Sequence, residues 1–276
     1  MNSVDQLNPL NMAVVTLTTD WGNTDFHVAA MKGEILGGIP DARIIDISHD
    51  VDPYDIYQTK WILGNSWYHY PKGSVHIIGV RGQSGIQQPL KEEERGYAIA
   101  AKFRDHYFIG CNDGMMSILF GAEPEEVYYI LTSKGEKVMP DYEVLASAAV
   151  FLMSGGKISN VGKPVGDLIT KKVTEPFRDN NSISGHVVFV DRFGNLVTNV
   201  TKEIFEDIVR DSQFEILVRS REYTIYQISD SYDRVVAGEL VALFNSAGHL
   251  EIALRENDAS KLIGSRIGDT IRIEIK

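Results

Sequence analysis

The chain has one cysteine in 276 residues, Cys111, so neither an intrachain disulfide nor a thiolate metal cluster can form, and a reducing compartment fits. No stretch of 18 uninterrupted apolar residues occurs, so no membrane-spanning helix and no membrane partner are expected. Residues 1 to 10 are polar, without the basic start and apolar run of a signal peptide, which predicts a cytoplasmic protein. A basic excess is missing too: Lys and Arg number 27 against 38 Asp and Glu, a net charge of −11. Phosphate neutralisation needs a concentrated Lys/Arg surface, so no nucleic-acid partner is expected, while a cationic ligand is compatible. No Gly-x-Gly-x-x-Gly follows a strand and no Gly-x-x-x-x-Gly-Lys-Ser/Thr is present. The histidines (His27, His49, His69, His76, His106, His186 and His249) show no paired helical spacing for a metal, so no metal site is predicted. Gly82-Gln83-Ser84-Gly85 is one residue short of a nucleophile elbow, which disfavours a hydrolase triad.

What is present divides into two kinds of pattern. Ala13 to Leu17 is a short apolar run that ends in Thr18-Thr19-Asp20-Trp21-Gly22, after which Val28, Met31, Ile35 and Leu36 recur at helical spacing. Arg43 to Ile47 reads as a second strand, Tyr54 to Trp67 as a helix with Tyr57, Trp61 and Ile62 on its stripe, and Ser74 to Val80 as a third strand. Tyr97 to Phe103 and Tyr107 to Cys111 form a hairpin across Arg104-Asp105, and Leu145, Ala148, Ala149 and Leu152 mark another helix. Strands separated by helices imply a largely parallel sheet covered on both faces. Beyond residue 182 the period changes to two, with Phe214, Ile216 and Val218, then Leu250, Ile252 and Leu254, then Ile271, Ile273 and Ile275 alternating with polar residues such as Glu251. The expected architecture is an α/β N-terminal domain with a largely parallel central sheet (1–165), a linker (166–182) and an all-β C-terminal antiparallel barrel-like domain (183–276).

Open α/β sheets place ligands at strand ends, and polar clusters stand there. Asp20 and Asp25 follow the first strand; a carboxylate can take both hydroxyls of a ribose diol, and a second can hold an ammonium or sulfonium. An isolated pair of this kind is more often an Asx turn and a helix cap. Asp46-Ile47-Ser48-His49-Asp50-Val51-Asp52-Pro53-Tyr54-Asp55 follows the second strand, and Tyr54 could face a ring or aliphatic chain. Asp191-Arg192-Phe193-Gly194-Asn195 and Asn245-Ser246-Ala247-Gly248 are each, alone, ordinary hairpin loops, although Asn195 has the donor and acceptor that an adenine edge requires.

Taken in order, Thr19-Asp20-Trp21-Gly22-Asn23-Thr24-Asp25, Met31-Lys32-Gly33, Asp46-Ile47-Ser48-His49, Pro53-Tyr54-Asp55, Gly73-Ser74-Val75-His76, Asn112-Asp113-Gly114, Asp191-Arg192-Phe193-Gly194-Asn195 and Asn245-Ser246-Ala247-Gly248 resemble the S-adenosylmethionine hydroxide adenosyltransferases, relatives of the fluorinase and chlorinase. The resemblance spans Val14 to Ile275. It implies a homotrimer with the ligand between the N-terminal domain of one subunit and the C-terminal domain of the next, S-adenosylmethionine as substrate or ligand, and no cofactor. Position by position it implies that Asp20 holds the ribose diol, that Asp25 with Asp191 holds the methionine ammonium, and that His27 lies near the methionine end. Tyr54 would line the sugar, Phe193 and Asn195 would contact adenine, Ser246 would hold the methionine carboxylate, and Arg255 would lie near the adenine.

The sequence departs from that family at the residues held to activate water. Arg81 stands where an Asp is expected, Gln87 or Gln88 where an Arg is expected, and Pro140 where a His is expected; Ser84, Asp141 and Glu143 are the substitute water-orienting candidates. Two readings follow. One is an enzyme that cleaves S-adenosylmethionine to adenosine and methionine by attack at the ribose 5′ carbon, where a sulfonium leaves as a neutral thioether and positioning carries most of the catalysis. The other is an inactive adenosine or nucleotide binder in which Arg81 pairs with an anionic ligand group.

Overall fold

A computed structural model describes residues 14–81, 97–133 and 141–276. The chain forms two compact units that divide between Lys172 and Val173.

The N-terminal unit is built on a six-stranded sheet, β1 (Val14–Thr19), β2 (Arg43–Ser48), β3 (Val75–Gly79), β4 (Ala98–Phe103), β5 (His106–Cys111) and β6 (Glu126–Tyr129), in the order β2-β1-β3-β5-β4-β6. Pairings of β1 with β2 and β3, and of β3 with β5, are parallel; β4 runs antiparallel to β5 and β6. The sheet is therefore parallel on one side and antiparallel on the other. Arg104 and Asp105 both have left-handed φ, +49° and +65°, the geometry that a two-residue hairpin with native strand twist requires.

Helices α1 (His27–Gly38) and α4 (Tyr142–Met153) cover one face, where Val15, Leu17, Met31, Ile35, Leu145 and Leu152 form one core. Helices α2 (Ile56–Gly64) and α3 (Met115–Phe120) cover the other with Leu63, Ile78, Phe108 and Met115. With both faces covered, β1 is buried at every position, its threonines Thr16, Thr18 and Thr19 included; β2 is an edge strand and leaves Ile45 exposed. The stripe expected on α2 is rotated. Asp55 caps this helix by accepting from the Tyr57 and Gln58 amides, and the register it sets buries Ile56, Thr59 and Leu63 while Tyr57 faces out. His76 is absorbed by the core: its Nδ1 lies 2.7 Å from Thr16 Oγ1 and its Nε2 3.1 Å from His106 Nδ1, and burial lowers its pKa to about 3.

The C-terminal unit is antiparallel throughout its named pairings. Strands β7 (Phe177–Arg178), β8 (Ser182–Val190), β9 (Leu196–Thr201), β10 (Phe214–Val218), β11 (Ser220–Ile225), β12 (Leu240–Phe244), β13 (His249–Leu254) and β14 (Thr270–Ile275) follow the path β11-β10-β14-β8-β9-β13-β12, with β7 on β8. Contacts between β11 and β12 bring the ends of the path together into a nearly closed barrel-like sheet. Closure hides sheet edges that would otherwise seek partners. Its core holds Ile183, Leu196, Ile216, Leu250, Ile252 and Ile273, and helices α5 (Lys202–Val209) and α6 (Ala259–Ile263) pack on it.

Residues 166–182, expected as a linker, are pinned by side chains. Asn112 Oδ1 accepts from the Ile169 amide and Ser117 Oγ from the Lys171 amide, while Asn199 Nδ2 donates to the Thr174 carbonyl. Lost apolar periodicity here marks backbone held by amide and hydroxyl side chains, with β7 inside the same stretch.

Candidate functional site

The C-terminal ends of β1, β2 and β3 carry the first polar cluster. Asp20, directly after β1, accepts from the Tyr54 amide at 2.9 Å through Oδ2. Tyr54 reaches that position only by adopting a left-handed backbone, φ +68°, a strained state for a non-glycine residue that marks the loop as shaped for something other than stability. Burial raises the Asp20 pKa, and the Tyr54 amide partly offsets this. Asp20, Trp21, Pro53, Tyr54, Ile78, Gly79, Val80, Arg81 and Leu145 line a pocket of about 400 Å³. Gly79 is needed there because a Cβ would come 2.8 Å from both Thr19 Cγ2 and Trp21 Cζ2.

Behind Asp20 lies a chain of contacts that the sequence motifs did not assign. Buried His49 sets its Nδ1 2.8 Å from Thr19 Oγ1 and its Nε2 3.1 Å from Asp46 Oδ1, and Lys32 Nζ meets Asp46 Oδ2 at 2.6 Å. His49 Nε2 has no hydrogen bond of good geometry, so its contact with Asp46 is one of proximity. The His49 carbonyl accepts from the Gly22 amide at 2.8 Å. Two strand ends are thus tied on either side of Asp20.

Asp25 and His27 stand outside the lining of this pocket. Asp25 accepts from the Phe26 amide at 2.6 Å and its Oδ2 lies 3.1 Å from His27 Nδ1. His27 stacks on Phe26 at 4.3 Å and approaches Trp21 at 5.9 Å and Tyr142 at 6.1 Å. Helix α1 takes Phe26 as its N-cap with no side-chain cap, so Asp25 is not the helix cap that the simplest reading gives it. Asp141 caps α4 by accepting from the Val144 amide at 2.8 Å, and Glu143 accepts from the Tyr142 hydroxyl at 3.3 Å. These two line a different pocket, with Thr132 and Phe151. Ser84, Gln87, Gln88 and Pro140 lie outside the described residues.

In the C-terminal unit Asp191, Phe193, Asn195 and Arg255 are brought together, with Tyr232, Asp233 and Leu254, around a pocket of about 610 Å³. The turn between β8 and β9 is organised by Asp191: Oδ1 accepts from the Phe193 and Asn195 amides and Oδ2 from Asn195 Nδ2, each at 2.9 Å. A carboxylate offers about four lone pairs, so roughly one remains for a ligand. Asn195 is buried and Phe193 is exposed at the tip. Gly194 has φ +82°, and a Cβ there would lie 2.1 Å from Asp258 Oδ1. Arg255 is anchored by its Nη1, which donates to the Val235 carbonyl at 2.5 Å. Ser246, exposed in the β12–β13 hairpin, is not part of this lining.

Sequence reasoning missed Glu251 and Tyr232. The alternation along β13 predicts a solvent-facing Glu251, yet it is buried, accepting from the Tyr232 hydroxyl at 2.7 Å and from Asn245 Nδ2 at 3.1 Å. Burial, then the Glu251 bond, pushes the Tyr232 phenol up. In an almost closed barrel a polar position in a strand can still face packed chain, so period-two alternation alone gives no signal for it. Among the described residues no group of three or more His, Cys, Asp or Glu could hold a metal, and burial raises the Cys111 thiol pKa.

An α/β unit with a carboxylate pocket at its parallel strand ends and an antiparallel barrel-like unit with an acidic, aromatic pocket of its own define a two-domain protein. Residues 15–162 match the model of the SAM hydroxide adenosyltransferase N-terminal domain and residues 185–272 that of its C-terminal domain. The chain belongs to the SAM hydroxide adenosyltransferase family. It is 27% identical to the (R)-S-adenosyl-L-methionine hydrolase of Methanocaldococcus jannaschii, over 94% of this chain and 95% of that one. With the fluorinase of an Actinoplanes species it shares 23% identity over 87% and 90% of the two chains. The crystal structure of an uncharacterized conserved protein from Thermotoga maritima superposes with a TM-score of 0.80 at 26% identity, covering 94% of this chain and 99% of that one. No helix among the described residues is long and apolar enough to cross a membrane.

Proposed function

We propose that this chain binds S-adenosylmethionine and cleaves it with water at the ribose 5′ carbon. The C5′–S bond breaks, its electron pair leaves on sulfur as neutral methionine, the new C5′–O bond gives adenosine, and one proton passes to solvent. The leaving group needs no acid, so the protein's task is to hold the 5′ carbon, the sulfonium and a water in line. Asp20, held by the Tyr54 amide and backed by His49, carries the reading: its carboxylate keeps a free oxygen for a ribose diol. Tyr54 lines the sugar, Phe193, Asn195 and Arg255 take the adenine, and Asp25, Asp191 and Ser246 take the methionine end. The reaction needs no cofactor, and the protein works in the cytoplasm as a homotrimer, which light scattering would test.

Arg81 lines the same pocket as Asp20 and supports a second reading. At a separation of roughly 6 Å a guanidinium repels a sulfonium by about 0.7 kcal/mol in water and about 3 kcal/mol at an effective dielectric of about 20. A ligand with an anionic group at that position would instead be favoured. Reaction in ¹⁸O-labelled water, with each sulfonium epimer supplied separately, tests the first reading: the label is expected in the 5′ hydroxyl of adenosine. No adenosine from either epimer, together with AMP binding that weakens in Arg81→Ala, supports the second.

A further inference from the structure

Apart from the three pockets above, the C-terminal unit has a hollow of about 690 Å³ lined by Arg219, Arg221, Arg266 and Arg272 with one carboxylate, Asp269. The clustering runs against local charge, since residues 181–276 contain 11 Lys and Arg against 15 Asp and Glu. Asp269 is already engaged with Ser265 Oγ at 3.1 Å and the Arg266 amide at 3.0 Å. Arg272 Nε pairs with Glu274 at 3.3 Å. Among the described residues the Arg221 guanidinium has no hydrogen bond or ion pair, and the Arg266 guanidinium has no hydrogen bond and interacts with Asp269 through charge alone.

The wall of this hollow is fixed in place. Paired strands β10 and β14 set Leu217 opposite Arg272. Arg219, between β10 and β11, takes a left-handed φ of +59° and turns its Nη1 onto the Ile263 carbonyl at 3.5 Å and the Gly264 carbonyl. Gly264 ends α6 at φ +68°, and a Cβ there would stand 2.8 Å from Arg219 Nη1. Gly264 thus permits both the helix end and the close approach of this arginine.

We propose that this hollow binds a small molecule carrying two or more phosphate groups. Guanidiniums match phosphate oxygens as planar two-pronged donors, and several like charges at one place are relieved best by an anion that bridges them. The volume accommodates a polyphosphate and an attached organic body. An extended nucleic acid is less favoured because the net charge is −11 and a backbone track needs basic residues along a longer surface. The inference is independent of the hydrolytic reading.

The test is calorimetry of the full-length protein with sodium tripolyphosphate, ATP, inorganic phosphate and a short DNA oligonucleotide, at about 50 and about 150 mM salt. Tripolyphosphate and ATP are expected to compete for one site per chain, more weakly at the higher salt. Their affinity should fall roughly tenfold or more in Arg221→Glu and in Arg266→Glu, and stay unchanged in Arg234→Glu, whose arginine lies outside the hollow and pairs with Asp230. Arg221→Gln and Arg266→Gln, checked by circular dichroism, replace any glutamate variant that does not fold. No tripolyphosphate binding, equal affinity in all variants, inorganic phosphate binding as tightly as tripolyphosphate, or an oligonucleotide binding more tightly than either small polyanion would each overturn the proposal.

Discussion

The two pockets hold their carboxylates in opposite ways. Asp20 is placed by contacts between strand ends: it accepts from the Tyr54 amide, while His49 ties Thr19 to the Asp46 side. Asp191 is largely taken up by its own loop, with three bonds from residues two and four positions on. The first carboxylate is therefore free for a ligand and costly to keep charged, since burial raises its pKa. The second is mainly the frame that sets Asn195 and Phe193. A binding residue and a scaffold residue of the same type are separated here by how many donors each already has.

Breaking the frame should give the largest effect. Asp191→Ala removes three bonds to a charged acceptor, a loss of about 3 kcal/mol or more, and should lower the melting temperature and weaken the affinity for S-adenosylmethionine roughly a hundredfold. Asp191→Asn, which keeps one acceptor oxygen, should recover part of both. Asp20→Asn should separate the two properties. With a charge-assisted bond to the ribose lost, about 2 kcal/mol, KM should rise roughly thirtyfold while the melting temperature holds or rises, because the neutral amide escapes the desolvation of the carboxylate. A fall in melting temperature comparable to that of Asp191→Ala would remove the distinction.

How far the sequence carries depended on the kind of element. Strands β1, β2 and β3, the β4–β5 hairpin and helix α4 are legible because apolar runs, breakers and helical spacing agree with their burial. Helix α3 is not, since Met115, Met116, Ile118 and Leu119 are all buried and leave no polar face to mark a period. On α2 the aromatic residues suggested the wrong face; the Asp55 cap decided it. Among site residues, the motifs point to Asp20, Tyr54, Arg81, Asp191, Phe193, Asn195 and Arg255, which line the two pockets, and also to Asp141 and Glu143, which line another. Local sequence could not separate these, because a cap and a ligand carboxylate look alike until the fold supplies their donors.

Smaller effects sharpen the same contrast. A carboxylate with a raised pKa loses its charge at higher pH than an ordinary one, so ligand affinity should weaken as pH falls through that raised value. Calorimetry across acid pH should show this in the wild type and not in Asp20→Asn. The sign for stability is opposite, because the unfolded state has the lower pKa: charging Asp20 costs stability as pH rises. Replacing His49 by Gln should keep one of its contacts and raise KM about fivefold with little change in kcat, the split expected of a residue that positions Asp20 by about 1 kcal/mol. An equal loss in His49→Ala and His49→Gln confined to kcat would contradict that role.

The most direct measurement is chromatography of the products formed when purified protein is incubated with S-adenosylmethionine. Adenosine and methionine should appear in equal amounts from the wild type, with little of either from Asp20→Ala or Asp191→Ala. Unchanged product from both variants, or no product from the wild type with either sulfonium epimer, would contradict the assignment of these carboxylates to the reaction.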